Sequence, residues 1–599
     1  MYNPLNRFYK SQTGGVVANK NVTFRVKGAF DSVVFVFKKD GDDFVSRMNM
    51  VKENDCFSID VSFPRGLYFY CFEACDKFIG LGDDYKGQIS QNAVWFQLTA
   101  YDEDFLVPDW LKGGVIYQIF PDRFCRGGNE KNISPDKILH ENWLETPVYN
   151  PNHRGIVVNN DFFGGDIKGI ISKLDYLKEL NVSCIYLNPI FKAFSNHRYD
   201  TGNYMEIDPL LGTKEDFIEL ILKAKELNIK IVLDGVFNHT GDDSIYFNKY
   251  GKYNSIGAYQ SKDSPYYNWF NFVEFPDNYE SWWGVKTLPS VNENCQSFID
   301  YITGPDGVLE YYTKLGVGGW RLDVVDELPT QFVRKIREAV KRINNNATVI
   351  GEVWEDASNK ISYGVRREYF QGKELDSVMN YPLKNAIINY VRNGDSNSLS
   401  FTVKEQIDHY PKLVLDNLMN ILSTHDTARL LTVLGGVDMT GKSKGEMANT
   451  FIPEENLALA KQKLKIATLL QFTLPGVPSI YYGDEAGMQG YIDPLNRRCF
   501  PWGQEDKEIL NWYKFLGKVR NTQSAFVSGE FVEIYSADGT FIFKRFDEKS
   551  EVLIAVNVGN KEQILSFNGE LFDLYSNKEF KDKFILKGQS FAVLINCKK

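Results

Sequence analysis

The chain of 599 residues has no surplus of positive charge: 68 Lys and Arg stand against 78 Asp and Glu, a net charge of −10. Nucleic acid and anionic membrane surfaces select basic proteins, so neither is an expected partner. No apolar run approaches the ~20 residues of a membrane span, and the most apolar late stretch is broken by Pro475 and Pro478. The start carries no basic patch followed by an apolar run, so no secretory leader is read there. The eight cysteines are scattered. Cys71 and Cys75 are the one close pair, and no second pair completes a zinc site. They read as buried thiols of a reducing compartment, and the expected location is cytoplasmic. A Gly-rich phosphate loop is also missing after the first strand of the α/β region, which argues against a doubly wound nucleotide-binding sheet.

Aromatic residues, by contrast, are plentiful at 14%. They suit β-rich packing and, on an exposed wall, the flat faces of sugars. Residues 1–108 read as an all-β sandwich, with alternating runs at 22–26, 33–37 and 67–72 and Gly/Asp turns such as Lys39-Asp40-Gly41-Asp42. From residue 109 to 520 strands and helices interleave. Apolar strands are expected at 115–120, 182–187, 231–237, 318–324, 348–353, 377–380, 419–423 and 478–482. Helices are expected between them, including 166–180, 213–227 (opened by Thr213 and Asp216), 309–315, 331–343 and 456–470. Eight such strands predict an α/β fold, a (β/α)8 TIM barrel, with an irregular Tyr/Asn/Gly/Ser-rich subdomain inserted after strand 3 at about 240–294. Residues 521–599 return to β pattern and predict a C-terminal β-sandwich.

In such a barrel chemistry sits at the carboxyl ends of the strands. Those ends are unusually polar here. Strand 3 runs Asp234-Gly-Val-Phe-Asn238-His239, strand 4 runs Arg321-Leu-Asp323, strand 5 ends Gly351-Glu352, and strand 7 leads into Thr424-His425-Asp426. Arg321 and Asp323 are two apart on a strand, so they share a face, and the guanidinium favours an ionised carboxylate beside it. Only six histidines exist in the chain, and two of them fall at these ends. Packing does not account for so much converging charge, because unpaired buried charge is costly. Several acids around one pocket fit glycoside hydrolysis, which needs one nucleophilic carboxylate and one protonated acid. Metal binding is the weaker rival, because the two histidines lack a short ligand spacing.

The blocks at Asp234–His239, Gly319–Asp323, Gly351–Trp354 and Ser423–Asp426 resemble the four ordered segments of the α-amylase superfamily. Tyr117-Gln-Ile-Phe-Pro-Asp-Arg-Phe124, Phe163-Gly-Gly-Asp166, Tyr204-x-Glu206-Ile-Asp208-Pro209 and Asp493-Pro-x-x-Arg497-Arg498 are similar to segments of its neopullulanase, cyclomaltodextrinase and maltogenic amylase group. The resemblance implies Asp323 as nucleophile, Glu352 as general acid/base and Asp426 as transition-state stabiliser. It implies that Arg321 positions Asp323 and that His239 and His425 hydrogen-bond the sugar. Asn196-His197-Arg198-Tyr199-Asp200 resembles the segment whose tyrosine, here Tyr199, stacks under that sugar. His197, Asn238, Trp354, Asp493 and Arg497 complete the implied substrate contacts. The implied function is retaining hydrolysis of α-1,4, and also α-1,6, bonds in cyclodextrins, maltooligosaccharides, pullulan or starch, with some transglycosylation. An N-terminal β-domain is a habit of the group, often used for homodimerisation.

Three positions depart from the group. Leu288-Pro-Ser-Val-Asn292 stands where it usually has Met-Pro-Lys-Leu-Asn, and Glu355 stands where it usually has His. The loop that usually ligates calcium reads Cys125-Arg126-Gly127-Gly128, with only Asp166 and Asn132 left as oxygen donors. No cofactor or metal is therefore required by the sequence, although those two donors are compatible with a structural calcium ion. A 4-α-glucanotransferase would share every catalytic residue. A non-catalytic amylase-fold binding protein would lose members of the triad, and this chain keeps all three.

Overall fold

A computed structural model describes residues 1–128, 131–153 and 155–596. Its centre is a parallel sheet of eight strands: β1 (Ile116–Ile119), β2 (Cys184–Leu187), β3 (Lys230–Gly235), β4 (Gly319–Leu322), β5 (Thr348–Gly351), β6 (Ser377–Val378), β7 (Met419–Asn420) and β8 (Val477–Tyr481). The hydrogen-bonded order is β6-β5-β4-β3-β2-β1-β8-β7. A parallel bridge from Met379 to Met419 joins the two ends and closes the barrel.

Period-2 alternation divides each strand between two cores. Ile116, Cys184, Val232, Ile350, Met419 and Val477 fill the barrel interior. Ile185, Leu187, Leu233, Trp320, Leu322 and Val349 face outward into the much larger core under the helices. Helices follow most of the strands, as the sequence pattern predicts. Lys214–Glu226 opens on the full capping box of Thr213 and Asp216. The expected helix at 166–180 is instead two, Ile167–Ile171 and Leu174–Glu179. Ser172 Oγ donates to Gly169 O at 2.7 Å, and Lys173 leaves helical geometry at ψ 8°. A serine bonded back to its own helix competes with the next turn.

The insertion after β3 contains only short 3₁₀ turns and a two-stranded pair, Phe272–Glu274 with Asn278–Tyr279. In the N-terminal domain a seven-stranded and a three-stranded sheet close over a core that includes Phe24, Phe35, Tyr70 and Phe72. The C-terminal strands form one six-stranded antiparallel sheet. Phe541, Phe543 and Ile554 of that sheet pack on the barrel core, while Ile542, Ala555 and Leu594 build a small core on its other face. Among the described residues no helix is long and apolar enough to cross a membrane.

Candidate active site

The register of the barrel explains why charge collects at one end. Asp234 on β3 pairs with Arg321 on β4, and Leu322 pairs with Gly351 on β5. One residue further, Asp323 and Glu352 leave adjacent strands side by side. Arg321 is fully buried beneath them. Its Nη1 donates to Asp234 Oδ1 at 2.8 Å and to Asp323 Oδ1 at 2.7 Å. Its Nη2 lies 2.8 Å from Glu352 Oε2, an ion pair without hydrogen-bond alignment, since that nitrogen has no aligned acceptor among the described residues. Three carboxylates thus share one guanidinium.

Burial pushes the Asp323 carboxyl well above the usual range; Arg321 pulls it down, and the charges of Glu352 and Asp234 push it up. Asp234 is also raised by burial, against Arg321 and the hydroxyls of Tyr186 and Tyr199. The simple expectation that Arg321 alone fixes the ionisation of Asp323 is therefore incomplete. One cation facing three acids in a poorly hydrated site favours retention of a proton within the cluster.

Glu352 is aimed by two donors. Val324 N–H reaches Oε2 at 2.9 Å and Trp354 Nε1–H reaches Oε1 at 3.1 Å. Val324 holds φ +39°, an uncommon conformation for a β-branched residue, of the kind retained where surrounding structure enforces it. Trp354 lies flat on Tyr381, with ring centroids 3.9 Å apart.

On the opposite side Tyr199 and His425 stack at 5.2 Å with parallel rings. Tyr199 Oη donates to Asp234 Oδ2 at 2.8 Å and meets His425 Nε2 at 2.5 Å. Gln118 Nε2 donates to His425 Nδ1 at 2.9 Å, which leaves the imidazole proton on Nε2, facing Tyr199 and Asp426. Asp426 Oδ2 is 3.2 Å from that nitrogen, and Oδ1 is 3.6 Å from Arg497 Nη2. Burial raises the Asp426 carboxyl against Arg497 and Arg321. Arg497 also contacts Asp493 at 2.7 Å. Burial and nearby cations push His425 and His197 well below the usual imidazole range. Burial takes His239 down to about 4. All three are neutral hydrogen-bonding groups near neutral pH. His239 stacks on Trp282, and its buried Nε2 makes no aligned hydrogen bond among the described residues.

Asp323, Glu352, Asp426, Tyr199, His197, His239, Trp354, His425, Asp493 and Arg497 all line one cavity of about 880 Å³. Arg321 lies under its floor. Asn238 does not line it; its Oδ1 faces His239 Nδ1 at 3.2 Å and its Nδ2 reaches Glu293 at 3.4 Å. Of the remaining lining, Leu288 and Glu355 entered the sequence analysis only as departures from the group. Trp282, Trp283, Lys360 and Tyr363 were missed, because they come from loops without periodicity. Among the supports, Gln118, Tyr186 and Asn188 were readable in principle as polar residues near the ends of β1 and β2.

The residues at the loop that usually ligates calcium in the group do not fit that ion. Lys131 Nζ donates to Asp166 Oδ2 at 2.6 Å and to Leu210 O at 3.0 Å, and Gly169 N–H donates to Asp166 Oδ1 at 2.7 Å. Arg126 donates to the carbonyls of Phe163, Glu141 and His140, and Asn132 is exposed. Elsewhere, Asp356, Glu405 and His409 place candidate ligand atoms within 4.8 Å of one another. There His409 Nδ1 and Asp356 Oδ2 already pair at 2.8 Å.

Residues 118–525 match the family described as alpha amylase, catalytic domain. The chain belongs to this family. An amylopullulanase of Thermoanaerobacterium thermosulfurigenes is 35% identical over 98% of this chain and 34% of its own length. A cyclomaltodextrinase of Thermoanaerobacter pseudethanolicus is 34% identical over 78% of this chain and 73% of its own. The chain spans from 34% to 50% of the length of the amylopullulanases it matches. Among solved structures, a cyclomaltodextrinase aligns with a TM-score of 0.72 at 26% identity, covering 99% of each chain. Membership of the α-amylase family agrees with the resemblance drawn from the strand-end blocks.

Proposed function

We propose that this member of the α-amylase family is a retaining α-glucan hydrolase acting on cyclodextrins, maltooligosaccharides, pullulan or starch. The observation that carries the reading is the Arg321 cluster, which sets Asp323 and Glu352 side by side under a sugar-sized cavity with Asp426 across it. Asp323 attacks the anomeric carbon while Glu352 gives its proton to the departing glycosidic oxygen, leaving a glycosyl ester on Asp323. Water then attacks that carbon, Glu352 takes the water proton back, and Asp323 leaves as carboxylate. Asp426, His425, His239, His197 and Arg497 hold the sugar hydroxyls, and Tyr199 lies against its ring. Asp493 with Arg497, and Trp354 beyond Glu352, extend the site on the two sides of the bond.

The subgroup reading is a narrowed site of the cyclomaltodextrinase kind, acting on α-1,4 and also on α-1,6 bonds. Leu288, in the segment that departs from the group, lines the cavity, so linkage preference is to be measured with β-cyclodextrin, pullulan and soluble starch in parallel. Fast cyclodextrin opening supports the subgroup; preference for starch overturns it. Exposed Trp283, Tyr363 and Trp354 offer platforms for an acceptor sugar, which supports some transglycosylation. Replacing Asp323 by Asn is expected to cut turnover by about 10³-fold or more with unchanged circular dichroism, and substantial residual turnover counts against the assignment.

No metal is required in this reading: the Lys131 ammonium takes the position of a cation at Asp166. A cytoplasmic role in glucan breakdown is supported by unpaired thiols at the seven described cysteines. Homodimerisation through the N-terminal domain is tested by light scattering of the full chain, where a monomer mass rejects it.

A further inference from the structure

One wall of the cavity is a hairpin, Ile361–Ser362 with Val365–Arg366, which follows the Glu352–Trp354 segment. At its tip Tyr363 holds φ +50° and Gly364 φ +76°. Tyr363 is 72% exposed and lines the cavity with Trp354 and Trp283. A two-residue tip with both φ positive turns tightly, but a hairpin of this length has little stability of its own. What fixes it lies partly in another domain.

Arg366, at the returning foot, is held by Asp40 of the N-terminal domain. Its Nε donates to Asp40 Oδ2 at 2.7 Å and its Nη2 to Asp40 Oδ1 at 3.0 Å, a two-point fork that fixes direction as well as distance. The same guanidinium also donates to Asn359 O. At the leading foot the N-terminal strand Phe96–Tyr101 supplies Gln97. Gln97 Nε2 donates to Ser358 Oγ at 2.7 Å, and Asn359 Nδ2 donates to Gln97 Oε1 at 2.7 Å. Both feet of the hairpin therefore stand on the N-terminal domain. The barrel adds Ser362 Oγ to Asp326 O at 2.7 Å and Arg367 Nη1 to Leu328 O at 2.8 Å.

We propose that Asp40, through Arg366, is a positioning residue that sets Tyr363 for the sugar on the leaving-group side of the cleaved bond. The N-terminal domain thereby takes part in selecting acceptor and leaving glucan within the same chain. This rests on the glucan-hydrolase reading above. Tyr363 and Trp354 line the same cavity, and a small phenol as leaving group fills only the position next to the cleaved bond, so an aryl substrate reads the site without the more distant sugar that Tyr363 is proposed to meet.

The test is a double-mutant cycle with D40N and Y363A, read on two substrates. On an aryl α-maltoside, D40N is expected to keep the wild-type kcat. On maltohexaose with maltose as acceptor, whose second ring extends beyond the position a phenol fills, D40N is expected to lower the transfer-to-hydrolysis ratio by about three- to tenfold, the size of one aromatic contact. The double variant is expected to match Y363A alone, because both changes remove one interaction, and D40E is expected to recover part of the ratio. Unchanged transfer in D40N, or effects of D40N and Y363A that multiply, overturns the proposal. Absence of maltohexaose hydrolysis in the wild type overturns the glucan-hydrolase reading instead.

Discussion

At the scale of residues, the site is governed by one fully buried guanidinium between three acids. Asp323 is held above its ordinary pKa by burial and by the charges of Glu352 and Asp234. Its ionised form is thus disfavoured in the fold relative to the unfolded chain, where an Asp titrates at about 3.9. The resulting penalty is absent below the unfolded value and complete above the folded one. Asp323→Asn is therefore expected to raise Tm near pH 7, with the gain vanishing as pH falls toward about 3; differential scanning calorimetry across that range checks it. The same geometry gives a kinetic prediction. Arg321 lowers Asp323, and the compact ammonium of a lysine cannot span the three acids as the guanidinium does. Arg321→Lys is expected to move the acidic limb of kcat/KM upward by about one pH unit, and an unmoved limb contradicts the account of the cluster.

At the scale of elements, the Asp356–His409 pair joins the loop after Glu352 to the helix Ser396–His409, near the N-terminal contact of Thr99 Oγ1 with His409 O at 2.8 Å. Burial disfavours the imidazolium, but the hydrogen bond and charge of Asp356, with Glu405 and Asp408, outweigh it and raise His409. Asp356 is lowered despite its burial, by the hydrogen bond and charge of His409. The pair's contribution is then present above about 3.9 and is lost as pH rises through the folded His409 value, above about 6.5. His409→Gln is expected to cost more Tm near pH 6 than at pH 9, and an equal cost contradicts the ion pair. Lys131 gives a second element-scale prediction. Lys131→Met leaves fully buried Asp166 unpaired and is expected to cost about 3–5 kcal/mol, while wild-type Tm is unmoved by chelator. Adding Asp166→Asn, which keeps a helix cap, is expected to recover much of the loss.

The barrel elements were legible because strands buried on both faces read as short apolar runs, and those runs end on charged residues at Asp323 and Glu352. The break at Ser172–Lys173 was not legible, because the apolar spacing continues in phase across it. Nor were Trp283 and Tyr363, which sit on two aperiodic loops: Trp283 Nε1–H donates to Glu327 Oε1 at 2.9 Å, and the Tyr363 hairpin is held through Arg366 on Asp40. Asn238 was read as a sugar contact, whereas the structure places it behind His239.

At the scale of the whole molecule, three units meet around one cavity. The barrel supplies the charged floor, the insertion supplies Trp282 and Trp283, and the N-terminal domain braces the Tyr363 hairpin. The C-terminal sheet packs on the barrel through Phe541, Phe543 and Ile554 and lies outside the cavity lining. The central claim is that Asp323 forms a covalent bond with the sugar. Incubation with 5-fluoro-α-glucosyl fluoride, followed by mass spectrometry of the digested protein, tests it directly. The account predicts a fluoroglucosyl adduct on the peptide containing Asp323, formed as activity disappears. Inactivation with the adduct on another carboxylate, or turnover of the reagent to the β-anomer without an adduct, would contradict it.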